Sequence, residues 1–198
     1  VYHQRYLRTL AYTDHHLGRF FQRMKTSGAS TDTVFFVYGD HGLIFGKDPG
    51  INDYGTDVRD AVLRVPLLIW SERLAAKSRG IRVNQVGSLC DLMATVADLI
   101  GVPQDGFWQH GIGRSLVRRD NTSRAFLTSA ANTDLGIRQG PRKYVFRSDG
   151  SIRVYELNQD PLERAPTWKS GQPASDELPS DIEEQRKQTC GINWLYQK

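Results

Sequence analysis

Cysteine is scarce. Cys90 and Cys190 are the only two in 198 residues, they lie far apart with no CxxC spacing, and so they argue neither for a disulfide scaffold nor for a zinc site. Long apolar runs are missing too: the longest stretch with strand character, Val65 to Trp70, is far short of the roughly 18 residues that a bilayer span requires. Charge of one sign is not concentrated anywhere. The formal net charge is +4, and its basic residues are scattered, which suits an anionic substrate or a phospholipid surface. The clustered Arg and Lys with interleaved stacking aromatics of a nucleic-acid module are absent. No internal repeat is present. An initiating methionine is also lacking: the first residue is Val1 and an amphipathic pattern begins within a few residues of it, so the expectation is a portion of something longer.

What remains is the profile of an ordinary globular domain, with 39% hydrophobic, 10% aromatic and 24% charged residues. At this length roughly 70% of the unfolded chain's surface can be buried, so a core can form without covalent or metal staples. Leu7, Leu10, Leu17, Phe21 and Met24 recur with helical spacing and predict a helix from about Gln4 to Thr26, ended by Ser27 and Gly28. Asp14 falls on that apolar face, where a carboxylate is costly unless paired. Thr33 to Tyr38 is a continuous β-branched and aromatic run, expected to be a strand buried on both faces of a parallel sheet, and Val65 to Trp70 reads as a second. Between them Leu43 to Arg64 is polar and glycine-containing, too long for a plain connection and so a candidate functional loop. Ser88 and Asp91 open another helix in a capping-box-like arrangement, Leu92, Val96, Leu99 and Ile100 form its buried face, and Gly101 with Pro103 closes it. Cys90 is expected to pack within that helix.

These alternating elements predict an α/β fold with a mostly parallel sheet flanked by helices. Past Arg124 the runs Ala125–Ser129, Lys143–Arg147 and Ile152–Leu157, the last two joined by Ser148-Asp149-Gly150, predict a small C-terminal antiparallel sheet. The organisation expected is residues 1–123 as part of the α/β domain, 124–164 as a small antiparallel subdomain, and 165–198 as a loose excursion with a terminal helix.

The residues that carry chemistry are Asp40 and His41. They stand one residue past the end of a strand, where α/β sheets bind ligands, and glycines flank them. A hard oxygen donor next to an imidazole can face one cation. The alternative is that Asp40 caps the turn and His41 is an ordinary surface histidine; position and flanking glycines leave both readings open.

The motifs, taken in order, resemble a known family. Tyr6 to Gly18 with Tyr12-Thr13-Asp14 and Leu17-Gly18, then Asp32 to Gly42, then Arg64-Val65-Pro66-Leu67-Leu68-Ile69, look like the second half of the sulfatase domain in the alkaline phosphatase superfamily. Ser88 to Gly101 with Asp91 and Thr95, Gly113-Arg114-Ser115-Leu116, and Tyr155-Glu156-Leu157 with Asp160-Pro161 and Glu163 continue the likeness. The resemblance implies a partial alkaline-phosphatase-like sandwich and one divalent metal ion (Ca, Mn, Mg or Zn). It also implies a substrate that is an anionic sulfate or phosphate ester, with in-line attack on sulfur or phosphorus. By the same resemblance Asp40 and His41 are metal ligands. Lys47 stands where many relatives place a Lys or His against the substrate's oxyanion; from the residue alone it is a solvated loop lysine. The family's nucleophile and remaining ligands come from the first half of the domain, which this chain lacks, and neither cysteine lies in a C-x-P-x-R context.

Two functional classes follow. One is the C-terminal portion of a sulfatase-like hydrolase or transferase, with lipoteichoic acid synthase and phosphoglycerol or phosphoethanolamine transferases as a branch suggested by His41 beside Asp40. That branch implies an extracytoplasmic setting, periplasmic or cell envelope, with membrane contact through an N-terminal region. The other class is a noncatalytic fragment or pseudoenzyme that only packs against a partner. No nucleic-acid partner is expected, and an incomplete sheet is expected to expose an edge or face.

Overall fold

The computed structural model describes residues 2–44, 58–74, 80–102, 113–118, 124–128, 134–147, 149–169 and 178–187. Their contacts form two units, one of Val1–Tyr54 with Arg64–Val83 and one of Gly55–Leu63 with Asn84–Lys198.

The first unit begins with α1, Tyr2–Thr26, as its apolar periodicity predicts. The stripe is covered only toward its C-terminal end. Leu17, Phe21 and Met24 are half-buried, while Leu7 and Leu10 remain 49% and 47% exposed. Asp14 is exposed as well, so the expected penalty for a carboxylate on a buried face does not arise. What covers the helix is an aromatic cluster: Phe20 and Phe21 meet Phe35, and Phe21 and Phe35 meet Trp70, with ring centroids 5.2 to 5.8 Å apart. Lys25 Nζ lies 5.3 Å from the Trp70 ring.

Phe35 and Trp70 belong to β1, Phe35–Tyr38, and β2, Leu67–Trp70, which pair with Phe35 opposite Trp70 and Tyr38 opposite Leu67. The pairing is antiparallel, and so is every strand pairing among the described residues. The expectation of a mostly parallel sheet is corrected on this point. A continuous apolar run specifies a strand but not its direction, and a connection as long as the one from Tyr38 to Leu67 serves either. Both strands are also more open than such a run suggests, with Leu68 56% and Tyr38 49% exposed. The pair is pinned at its far end by Ser30 Oγ, fully buried, which donates to Glu72 Oε1 at 2.7 Å.

The second unit is built on a five-stranded antiparallel meander: β3 Arg124–Thr128, β4 Leu135–Gln139, β5 Arg142–Phe146, β6 Ile152–Glu156 and β7 Trp168–Lys169. The three predicted runs are β3, β5 and β6. The turn after β5 closes with Gly150 N–H donating to Arg147 O at 3.0 Å. β4 was not anticipated, because Gly136 interrupts its short apolar pattern. β7 corrects the reading of 165–179 as wholly loose: Val154 pairs with Trp168. Strand alternation gives this sheet two buried faces. Leu135, Ile137, Tyr144, Phe146 and Val154 form one core with Ile182 from the helical stretch 180–187. Val145, Tyr155 and Leu157 form the other with Val58 and Leu63, the latter from α2, Asp60–Leu63. A segment lying between β1 and β2 in sequence thus tiles the back of the C-terminal sheet.

The last element is α3, Asp91–Leu99. Its N-cap is Cys90, which is exposed, so the expectation that this thiol packs inside a helix is corrected. The expected capping box is replaced by a turn ahead of the helix: Asp91 Oδ2 accepts the N–H of Ser88, two residues before the N-cap, at 2.7 Å. At the other end Gly101 has φ +76°, Val102 N–H donates to Ala97 O at 2.9 Å and Gly101 N–H to Asp98 O at 3.3 Å, which is a Schellman closure. Gly101→Ala is expected to cost about 1 kcal/mol by forcing a Cβ into that left-handed conformation, readable as a lower urea midpoint at unchanged m-value.

Candidate metal-binding turn

β1 ends against the entry to β2. Gly39 N–H donates to Pro66 O at 3.3 Å, and a Cβ on Gly39 would lie 3.2 Å from Val65 Cβ. Only glycine permits that approach without a shift. The chain then turns through Asp40, His41 and Gly42.

Within the turn, hydrogen bonds orient both side chains. Asp40 Oδ1 accepts the His41 backbone N–H at 2.9 Å. His41 Nδ1 lies 2.9 Å from Gly42 O. A carbonyl can only accept, so Nδ1 is the donor, and in the neutral ring Nε2 carries the lone pair. Nε2 lies 3.8 Å from Asp40 Oδ2, within the span of two metal–ligand bonds of about 2.0–2.2 Å each. The Asp40 side chain is 84% exposed and the His41 side chain 43%, so a cation or anion from solution can reach both.

The donor chemistry fits a divalent cation: one carboxylate oxygen, one imidazole nitrogen, and a tautomer set by a backbone carbonyl in the manner of metal-ligating histidines. Two donors make a partial shell. Among the described residues no group of three or more His, Cys, Asp or Glu is gathered to hold a metal. Lys47 and Cys190 lie outside the described residues. His15 and His16 are exposed on α1, edge-to-face with each other, and the His16 ring is tilted against Tyr12.

Two other polar constellations sit in the second unit. Asp91 is buried and gives both carboxylate oxygens to main-chain donors, Oδ2 to Ser88 N–H and Oδ1 to Arg114 N–H, each at 2.7 Å. Thr95, also buried, donates to Asp91 O at 2.7 Å and accepts Leu116 N–H at 2.9 Å. α3 therefore grips the segment Gly113-Arg114-Ser115-Leu116 through its backbone. A side chain on Gly113 would collide with the Cys90 carbonyl. At the end of the helix the Arg118 guanidinium binds Asp98 and holds that carboxyl below the usual carboxylate range.

The other constellation was not read from the sequence. Lys143, fully buried, donates to Asp60 Oδ1 at 2.9 Å and lies 2.7 Å from Glu163 Oε1. Arg138 Nη1 donates to Asp60 Oδ2 at 2.9 Å, and the Asp60 N–H donates to Glu163 Oε2 at 2.5 Å. Burial pushes the Glu163 carboxyl up, against the lowering pull of Lys143. A signal was available: Lys143 alternates with Val145 on one face of a strand, where an unpaired lysine would not be tolerated.

A family model described as "Sulfatase" matches residues 1–102. Among curated proteins, the choline-sulfatase of Rhizobium meliloti (strain 1021) is 27% identical over 168 residues, covering 80% of this chain and 31% of the relative. Lipoteichoic acid synthase 1 of Bacillus subtilis (strain 168) is 31% identical over 117 residues, covering 54% of this chain and 17% of the relative. The chain thus spans a third or less of these relatives' length. Among solved structures, a protein in complex with its substrate D-glucosamine-2-N,6-O-disulfate superposes with TM-score 0.61 at 20% identity over 88% of this chain and 38% of that one. Ps i-CgsB superposes with TM-score 0.59 at 18% identity over 92% and 45%. These likenesses establish the mixed α/β fold.

Proposed function

Since this chain belongs to the sulfatase family of the alkaline phosphatase superfamily, we propose that it is the C-terminal part of a metal-dependent enzyme that hydrolyses sulfate esters. Asp40 and His41 supply two ligands to its divalent cation. The observation that carries this reading is the oriented pair itself, Nδ1 engaged by Gly42 O and Nε2 turned to Asp40 Oδ2. When bound, the cation would polarise the ester's oxygens and favour the deprotonated form of the attacking group. The chain's own residues do the holding. Gly42 fixes the imidazole tautomer, the His41 N–H fixes Asp40 Oδ1, and Gly39 seats the turn on Pro66. Lys47 is assigned the contact to the substrate's anionic oxygens, where a lysine acts as a point charge.

Sulfate is preferred over phosphate because the choline-sulfatase likeness runs along most of the chain, whereas that to lipoteichoic acid synthase covers about half. In the complete natural protein carrying this chain, Asp40→Ala or His41→Ala is expected to remove most bound metal, measured by plasma mass spectrometry. Turnover of an aryl sulfate should fall about a thousandfold, the loss expected when several kcal/mol of metal-supplied charge stabilisation disappears. Undiminished activity in either variant would sink the site. Turnover of a phosphodiester in preference to the sulfate would assign the protein to the transferase branch, and absence of both activities in the wild type would favour the noncatalytic reading.

A further inference from the structure

Basic residues spaced out along the sequence are gathered by α1 onto one face. Arg5, Arg8, Tyr12, His16, Arg19 and Arg23 follow one another at intervals of three or four residues, the spacing that lines side chains along a single side of a helix. All six are exposed, Tyr12 to 66%. At 1.5 Å per residue the stripe is about 27 Å long. It lies on the far side of the helix from Leu7, Leu10, Leu17, Phe21 and Met24. Toward its C-terminal end His16, Arg19, Phe20 and Arg23 border an open depression of about 220 Å³.

Nothing in the helix itself accounts for this stripe. α1 carries five Arg and Lys against Asp14 alone, and Asp14 stands three or four residues from none of the four arginines, so no ion pair across one helical turn can form. Arg5 neighbours Arg8, and Arg19 neighbours Arg23, at separations where like charges destabilise a helix. No acidic residue stands in the first turn, and Arg5 there opposes the macrodipole. An anion from outside would relieve each of these costs.

We propose that this face of α1 is a docking surface for a linear polysaccharide bearing sulfate esters, additional to the Asp40-His41 turn. Guanidinium groups take oxyanions through paired N–H donors, and the exposed Tyr12 ring offers a sugar an apolar plane with a polar edge. A bilayer is a poorer match: an interfacial helix buries its apolar face in the membrane, whereas here Leu7 and Leu10 lie on the side away from the arginines. A nucleic-acid strand calls for a row of stacking aromatics, and Tyr12 is the one Phe, Tyr or Trp in the stripe. The choice of sulfate among anionic groups rests on the sulfate-ester reading above; the attraction for a polyanion does not.

The test is binding of fluorescently labelled dextran sulfate to the complete natural protein, followed by anisotropy at low and at physiological ionic strength. Arg19→Gln is expected to weaken binding about fivefold, and Arg8→Gln, Arg19→Gln and Arg23→Gln together roughly a hundredfold, as for loss of one or three basic groups at an anionic surface. The triple variant should also lose most of the salt dependence. Glutamine is close to arginine in helix propensity, so α1 persists in these variants. Lys25→Gln removes one charge from the other side of the helix and should leave binding unchanged. Equal weakening by Arg19→Gln and Lys25→Gln would overturn the proposal, because net charge and not the stripe would then set affinity. Tighter binding to phosphatidylglycerol vesicles or to single-stranded DNA than to dextran sulfate at the same ionic strength would overturn it too. Failure of the sulfatase reading shows separately: a wild-type protein inert toward an aryl sulfate, a molecule too small to span the stripe, would refute that reading and leave the polymer affinities as predicted.

Discussion

Lys143→Met lowers the stability of the C-terminal unit by about 3–5 kcal/mol, the cost of leaving buried carboxylates without their cation. The substitution keeps the aliphatic stem, so packing beside Val145 is nearly conserved and the loss is electrostatic. Asp60 retains Arg138, but Glu163 loses the ammonium 2.7 Å from its Oε1. Urea unfolding followed by tryptophan fluorescence should give a lower midpoint at unchanged m-value. The informative companion is Lys143→Met with Glu163→Gln. Removing the stranded charge should recover part of the loss, because a neutral amide can still accept the Asp60 N–H. If Lys143→Met unfolds at the wild-type midpoint, Lys143 is not the keystone of this sheet face.

Asp91→Ala is the second large effect, at about 2–4 kcal/mol. The carboxylate is the partner of two main-chain donors, Ser88 N–H and Arg114 N–H. Deleting it strands both in a part-buried setting, at about 1–3 kcal/mol each. Asp91→Asn should cost less, since its single carbonyl oxygen still serves one donor. Thr95→Val removes the acceptor for Leu116 N–H and should add to Asp91→Ala less than its own separate cost, because both side chains grip one segment. Equal urea midpoints for Asp91→Ala and wild type would refute this account of the helix.

The sequence made periodic and apolar elements legible. α1, β1, β2, α3 and three strands of the meander all carry their pattern locally, and each lies within a few residues of its expected bounds. Strand direction was not legible, because pairing is decided by partners far along the chain. The extent to which α1 is covered was hidden for the same reason: periodicity names the apolar face but not what lies against it. At the site, Asp40 and His41 stood out because a strand end and two glycines frame them. The tautomer of His41 did not, since it depends on where the Gly42 carbonyl points. Asp60 and Arg138 escaped notice because nothing near either in sequence announces a buried partner 78 residues away, and the alternation of Lys143 with Val145 marks a buried lysine without naming its partner 83 residues off. Asp91 and Thr95 were visible as a motif, but only the structure assigns them to backbone clamping.

The discontinuity of the second unit has a consequence for synthesis. Residues 55–63 leave the ribosome well before β5, to which Asp60 is joined across 83 positions. At about 5–20 residues per second, this short piece waits roughly 4–17 s for its lysine. Through that interval Val58 and Leu63 have no sheet to cover, and the first unit can form its aromatic cluster only with their segment still dangling between β1 and β2. Nascent chains stalled before β5 should therefore be cleaved by protease between β1 and β2, and those stalled after β6 should resist.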